Sequence, residues 1–183
     1  MIVPAAQERL FFLEQNKLAR FEFLVMPHRR AAYNLARWLT RNDHDAEDVV
    51  QEAYLRAFRF FDSFHGGDSK AWLLTIVRNA CHTWMQQNRK LALEEDMGDY
   101  EATEPSPEAV VIGNVDREAL RGAIEELPPE FREAIVLREL EGLSYKEIGA
   151  VTGVPVGTVM SRLARARGRL AKALGERKAG GAA

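Results

Sequence analysis

The sequence predicts an all-α protein made of two small helical domains joined by an acidic flexible linker, the C-terminal domain containing a helix-turn-helix. Three observations lead there. Apolar residues recur at steps of three and four in both halves, and no strand-like alternation of useful length occurs. Residues 91–116 hold eight acidic residues and no Lys or Arg, and Pro105 and Pro107 interrupt any helix there. A length of 183 residues suits one medium or two small domains. The divisions expected are 1–90, a linker over 91–115, 116–175, and a disordered tail over 176–183.

In the first domain, Ala46, Val49, Val50, Ala53 and Ala57 share one helix face, and Asp45, Asp48 and Glu52 form a carboxylate stripe on another. Asp43 is the expected N-cap. Phe60, Phe61 and Phe64 with Gly66-Gly67 end that helix, and Asp68 or Ser69 opens the next, predicted over 70–89. That helix directs Trp72, Leu73, Ile76, Val77, Ala80 and Trp84 to a core. Thr75, Arg78, Asn79, His82, Gln86 and Arg89 make a second stripe without any carboxylate, which suits nucleic acid. In the second domain a helix over 116–127 stops at Pro128-Pro129, and Pro129 starts another that runs to about residue 140. Gly142 stops it. Ser144 caps a short helix over 145–151, Gly153 makes a tight turn, and a longer helix follows over 155–174.

Composition limits the function classes. Hydrophobic residues at 46% and charged residues at 28% are ordinary globular usage. The net charge of -2 hides a polarity: residues 156–178 carry seven basic side chains against one acid, Glu176. The single cysteine, Cys81, excludes an internal disulfide and a Cys-x-x-Cys zinc site, and a buried, inert thiol is favoured over a nucleophile or redox sensor. No stretch approaches the ~20 apolar residues of a membrane span, and the N-terminus lacks a signal-peptide run. The expectation is a soluble, cytoplasmic chain without membrane insertion. Catalysis is disfavoured. His44-Asp45 with Glu47 and Asp48 suggests a metal-dependent phosphohydrolase, but His28, His65 and His82 show no ligand spacing and acids in a helix's first turn answer its dipole. No metal and no cofactor are expected.

The sharpest motif is LSYKEIGAVTGVPVGTVMSRLARARGRL at 143–170, with the proportions of a helix-turn-helix. Val159, Leu163, Ala166 and Leu170 pack inward and leave Thr158, Ser161, Arg162, Arg165 and Arg169 outside. Arginine donates two hydrogen bonds to guanine, and Ser and Thr adapt to bases or phosphates.

This motif, preceded by DAEDVVQEAYLRAF at 45–58, AWLLTIVRNA at 71–80 and LPPEFREAIVLR at 127–138, resembles bacterial sigma factors of the extracytoplasmic function type. The resemblance covers about residues 20–175, and it implies a transcription initiation factor without an active site. Asp45, Asp48, Gln51 and Glu52 would bind core RNA polymerase. Thr75, Arg78, Asn79, His82, Gln86, Arg89 and Lys90 would recognise and melt the minus-10 element, with Asn79 at a position associated with strand opening. Trp72 and Trp84 are read as core rather than as platforms for unstacked bases. Thr158, Ser161, Arg162, Arg165 and Arg169 would read the minus-35 element, and Met160 departs from the Lys or Arg many relatives carry. The acidic linker would thread the RNA exit path, although a solvated, self-repelling tether explains its composition equally well. Partners implied are core polymerase, promoter DNA and an anti-sigma factor. The alternative is a helix-turn-helix regulator with an N-terminal signal-receiving helical domain, binding duplex DNA without polymerase.

Overall fold

The computed structural model describes residues 16–94 and 114–180, and the side chains of 16–89 and 117–175. Among the described residues every regular element is helical. Expectations for the linker centre at 95–113, for residues 1–15 and 181–183 and for the Lys90 side chain lie outside the described residues.

The first domain contains α1 (Lys17–Leu24), a 3-10 turn at Met26–His28, α2 (Arg29–Thr40), α3 (Asp43–Phe60) and α4 (Ser69–Glu94). Asn16 opens α1, its side chain accepting from the Leu18 and Ala19 amides. The cap of α3 is Asn42 and not Asp43. Asn42 holds the extended backbone of a cap and accepts from the Asp45 amide at 3.1 Å, while Asp43 is already helical and takes Arg37 and the Tyr33 hydroxyl instead. Asp68 caps α4 by accepting from the Ala71 amide at 3.0 Å.

Small residues set the packing. Ala46, Ala53 and Ala57 are fully buried on α3, which lets α2 and α4 come close, and Leu35, Leu73, Leu74 and Val77 fill the space between. An aromatic cluster closes the end. Phe21 meets Tyr54, Phe58 and Phe61 edge-on, and Trp72 packs on Phe61 and Phe64 with centroids 6.1 and 5.1 Å away. Trp72 and Trp84 are both partly buried and packed against the core rather than fully inside it.

The second domain contains α5 (Asn114–Glu125), α6 (Pro129–Ile135) extended by one π-helical turn (Val136–Leu140), α7 (Tyr145–Thr152) and α8 (Val156–Gly180). Helix α8 is described through Gly180, five residues into the segment expected to be tail. Leu137, Ile148 and Leu163 are fully buried, each contributing about 1.5 to 3 kcal/mol. Ser144 and Glu147 complete a reciprocal capping box on α7. Gly153 takes a left-handed backbone at φ 71°, which a side chain would strain. Gly149 meets a different constraint: a Cβ there would lie 2.9 Å from the Val154 carbonyl oxygen, so only glycine lets the turn fold so tightly onto α7.

The domains touch. Arg132, only 5% exposed, donates from Nη1 to the Trp38 carbonyl in α2 at 3.2 Å, and from Nη2 to the Glu125 and Leu127 carbonyls at 2.9 Å each. Glu141 accepts from Asn34 at 3.2 Å and from Lys70 at 3.1 Å, and Lys70 also donates to the Glu141 carbonyl at 2.6 Å. Buried apolar residues of both domains form one connected cluster.

Candidate functional site

The candidate residues lie on three surfaces. The first is α3. Its buried alanines turn Asp48, Gln51 and Glu52 outward, all exposed, while Asp45 is half-buried and burial pushes its carboxyl above the usual range. Asp48 pairs with His44 at 3.3 Å and Glu52 with Arg56 at 2.7 Å, both one turn away on the same helix. Sequence reasoning missed what lies beside them. Leu55 is 67% exposed and Phe58 38%, and together with Phe21, Met26 and Tyr54 they line an open groove of about 1100 Å³ with Arg29 and Arg30 at its lip. Their signal was the spacing of Leu55 and Phe58, two large apolar residues one turn apart and offset from the alanine face that packs inward.

The second surface is the outer face of α4, and the structure divides it. Asn79, Gln86 and Arg89 are exposed. Thr75 turns its hydroxyl back to the Ala71 carbonyl at 2.9 Å. Arg78 and His82 instead face the second domain: Arg78 Nε donates to Glu133 Oε1 at 2.6 Å and Nη2 to Oε2 at 3.4 Å, and His82 Nε2 stands 3.7 Å from the same Oε1. Burial pushes the Glu133 carboxyl up, but His82 and Arg78 outweigh it and hold the group below its ordinary value. Cys81, on the inner side, is buried, and desolvation with the nearby Glu133 charge pushes its thiol up to about 12, which fits the inert thiol expected.

The third surface is α8. Val159, Leu163 and Ala166 are buried as expected, and Ser161, Arg165 and Arg169 are exposed, with Thr158 and Arg162 half-buried. Ser161 donates to the Thr158 carbonyl at 2.9 Å, leaving its oxygen free to accept. Arg169 lies over the Phe131 ring at 5.5 Å and Arg167 pairs with Glu139 at 2.7 Å, so the later turns are braced on the domain while the Arg165 side chain points into solvent. Arg162 borders a cleft of about 470 Å³ between the domains, shared with Arg78, His82 and Arg132. Among the described residues no cluster of His, Cys, Asp and Glu has the arrangement of a metal site, and no helix is long and apolar enough to cross a membrane.

Comparison with known proteins places these surfaces. The family profile described as Sigma-70 region 2 matches residues 24–91, and the one described as Sigma-70, region 4 matches residues 117–170. The ECF RNA polymerase sigma factor SigE of Mycolicibacterium smegmatis is 38% identical over 160 residues, 86% of this chain and 62% of that protein. The ECF RNA polymerase sigma-E factor of Escherichia coli is 38% identical over 134 residues, 67% of this chain and 70% of that protein. Among solved structures, the sigma factor RpoE in complex with the anti-sigma factor NepR from Bartonella quintana superposes with a TM-score of 0.70 at 31% identity, over 85% of this chain and 96% of that one. CnrH in complex with the cytosolic domain of CnrY gives a TM-score of 0.64 at 28% identity, over 90% and 92%. The α3 and α4 surfaces fall in the region 2 match and the α8 surface in the region 4 match, in the same chain order, so the chain belongs to the sigma-70 family of RNA polymerase sigma factors, as a member of the ECF type.

Proposed function

We infer that this chain is a transcription initiation factor that binds core RNA polymerase, directs it to promoters carrying particular minus-35 and minus-10 elements, and helps melt the DNA. The observation that carries the reading is the single-chain pairing of a region 2 helix with exposed carboxylates and a region 4 helix-turn-helix with an exposed Arg165. It acts by contact, with no catalytic step of its own, in the compartment that holds the polymerase, the cytoplasm. Asp48, Gln51 and Glu52 meet a basic partner surface, with Asp45 at the start of the helix, and Leu55 and Phe58 add apolar area beside them. An anti-sigma factor is a further partner, on the likeness to RpoE and CnrH, each solved with a bound protein. A gel shift on promoter duplex with and without core polymerase tests the reading. Strong sequence-specific binding by the chain alone would favour a free-standing regulator.

Two residue-level predictions follow from the α4 and α8 surfaces. Thr75, Asn79, Gln86, Arg89 and Lys90 are assigned to the minus-10 strand together with Arg78 and His82, and Asn79 is the member nearest the opening step. Asn79→Ala is expected to slow open-complex formation more than closed-complex binding, and a pre-melted bubble template should restore part of the loss, because the unstacking cost has been removed. Equal defects on duplex and bubble would make Asn79 structural.

On α8, Arg165 and Ser161 are assigned to bases, Thr158 to the groove entry, and Arg162 and Arg169 to phosphates. The N-terminal turns of a recognition helix enter the groove and later turns climb to the backbone. A bidentate arginine contributes about 1 to 3 kcal/mol of base discrimination, so Arg165→Ala should flatten preference at one minus-35 position. Arg169→Ala should weaken matched and mismatched promoters alike and reduce the salt slope by about one phosphate. Holoenzyme binding across a salt series reads both. Full discrimination by the Arg165→Ala factor would mean the helix docks in another register.

A further inference from the structure

The cleft of about 470 Å³ bordered by Arg162 is reached by four arginines from four separate segments: Arg41 just after α2, Arg78 on α4, Arg132 on α6 and Arg162 on α8. Among the described residues that line it, only Glu130 and Glu133 are acidic. We propose that this cleft binds the oligophosphate group of a small molecule, with Arg41 and Arg162 gripping the anion and Arg132 supplying the charge at its floor. The proposal does not rest on the sigma reading, because Arg41 and Arg132, which anchor it, are assigned to no promoter element.

Unbalanced charge is the first support. Arg132 is 5% exposed, and its guanidinium donates only to neutral carbonyls, those of Trp38, Glu125 and Leu127, while its buried Nε has no acceptor. A buried charge is ordinarily paired with an opposite one, and an unsatisfied buried donor marks the place of a missing ion or water. Burial, and after it the Arg41 charge, hold the Arg132 guanidinium below the ordinary arginine value, and Glu125 offsets them only in part. Glu133 does not make up the deficit, because Arg78 already takes both of its oxygens. Arg41 is exposed and Arg162 half-buried, and neither has an acid partner among the described residues. Cations that converge in this way repel one another, and an anion placed between them removes the repulsion.

Shape and residue choice give the ligand class. Guanidinium forks match the paired oxygens of phosphate, and several of them together favour an anion with several charges. The volume lies in the range of small-molecule pockets. Leu39, Trp84, Met85 and Pro129 form an apolar side to the cleft, which suits a flat ring carried beside the phosphates. Arg41 ends α2 with a left-handed backbone at φ 64°, where glycine or asparagine is the usual residue. An arginine there keeps a strained backbone for a side chain that has no acid partner in the chain itself. Two sources offer this chemistry, a nucleoside triphosphate and an inorganic polyphosphate.

The test is calorimetric titration of the full chain, without polymerase or DNA and at constant ionic strength, with ATP, inorganic tripolyphosphate and adenosine. ATP and tripolyphosphate should each bind at one site per chain, and adenosine should not bind measurably. Tighter binding of ATP than of tripolyphosphate identifies a nucleotide as the source, and equal binding identifies the polyphosphate; either supports the oligophosphate site. Arg41→Asn, which removes the charge and tolerates the left-handed backbone, should lower affinity about tenfold, as expected for one charge-assisted hydrogen bond, and Arg162→Gln should do the same. Arg59→Ala, an exposed arginine on α3 away from the cleft, should leave affinity unchanged. A thermal melt of the unsubstituted chain should rise with tripolyphosphate, an arm that does not depend on any variant's folding. Absence of one-site binding by both phosphate ligands would overturn the proposal. So would affinity that survives both Arg41→Asn and Arg162→Gln, or that falls as far with Arg59→Ala, since attraction to net surface charge would then explain it.

Discussion

Replacing Asp48 and Glu52 with lysine is expected to lower affinity for core RNA polymerase by about a hundredfold or more while leaving the helical content of the chain intact. Juxtaposing like charges across an interface costs several kcal/mol, and every 1.4 kcal/mol is tenfold in affinity. The fold should tolerate the change. Both carboxylates are exposed, and their partners His44 and Arg56 are surface neighbours on the same helix, pairs that contribute about 0 to 1 kcal/mol. Helix α3 is held from its other face, by Ala46, Val49, Ala53 and Ala57. Circular dichroism with a thermal melt checks the fold, and a polymerase-binding titration at several salt concentrations checks the docking. Wild-type affinity for the double lysine variant at every salt concentration would remove α3 as the docking helix.

Arg132→Ala is expected to be the most damaging single change to stability, by about 3 to 5 kcal/mol. The guanidinium bonds three carbonyls from two domains, at Trp38, Glu125 and Leu127. Leaving a buried acceptor without its donor costs about 1 to 3 kcal/mol, and truncating so long a side chain also opens a void. Lysine is a poor substitute, because one ammonium on a flexible stem cannot span three acceptors arranged for a planar fork. Thermal unfolding of both variants tests this, with Arg132→Lys expected to recover less than half of the loss. A melt unchanged in Arg132→Ala would mean that those carbonyls are satisfied by water and that the α5–α6 corner holds itself.

The parts of this molecule decided by nearest neighbours along the chain were legible from the residues. Ser144 with Glu147, Pro129 at a helix start and Gly153 at the turn carry local chemistry, and the Val159, Leu163, Ala166 periodicity separates inner from outer face without any knowledge of the fold. Asn42 and Asp43 show how fine the margin is, since either residue type caps a helix and only the backbone angles choose. The seam was not legible. Arg132 and Glu133 read as ordinary charges on a helix between Pro129 and Leu140, and what buries them is chain 94 and 55 positions away. The same distance effect divides the α4 stripe, where spacing alone puts Arg78 beside Asn79 and tertiary contact assigns them different surroundings. Leu55 and Phe58 were passed over because an apolar residue at helical spacing is ordinarily buried, and the exposed stripe becomes visible only once Ala53 and Ala57 are seen to fill the inner face.

The most direct test of the central claim is run-off transcription with core RNA polymerase on a promoter library. The account predicts that adding this chain produces transcripts from a subset of templates sharing a minus-35 and a minus-10 element at fixed separation, and that core polymerase alone does not. It also predicts that the Asp48→Lys, Glu52→Lys factor loses those products on every template. Transcription with no template preference, or selective duplex binding that leaves polymerase output unchanged, would contradict it.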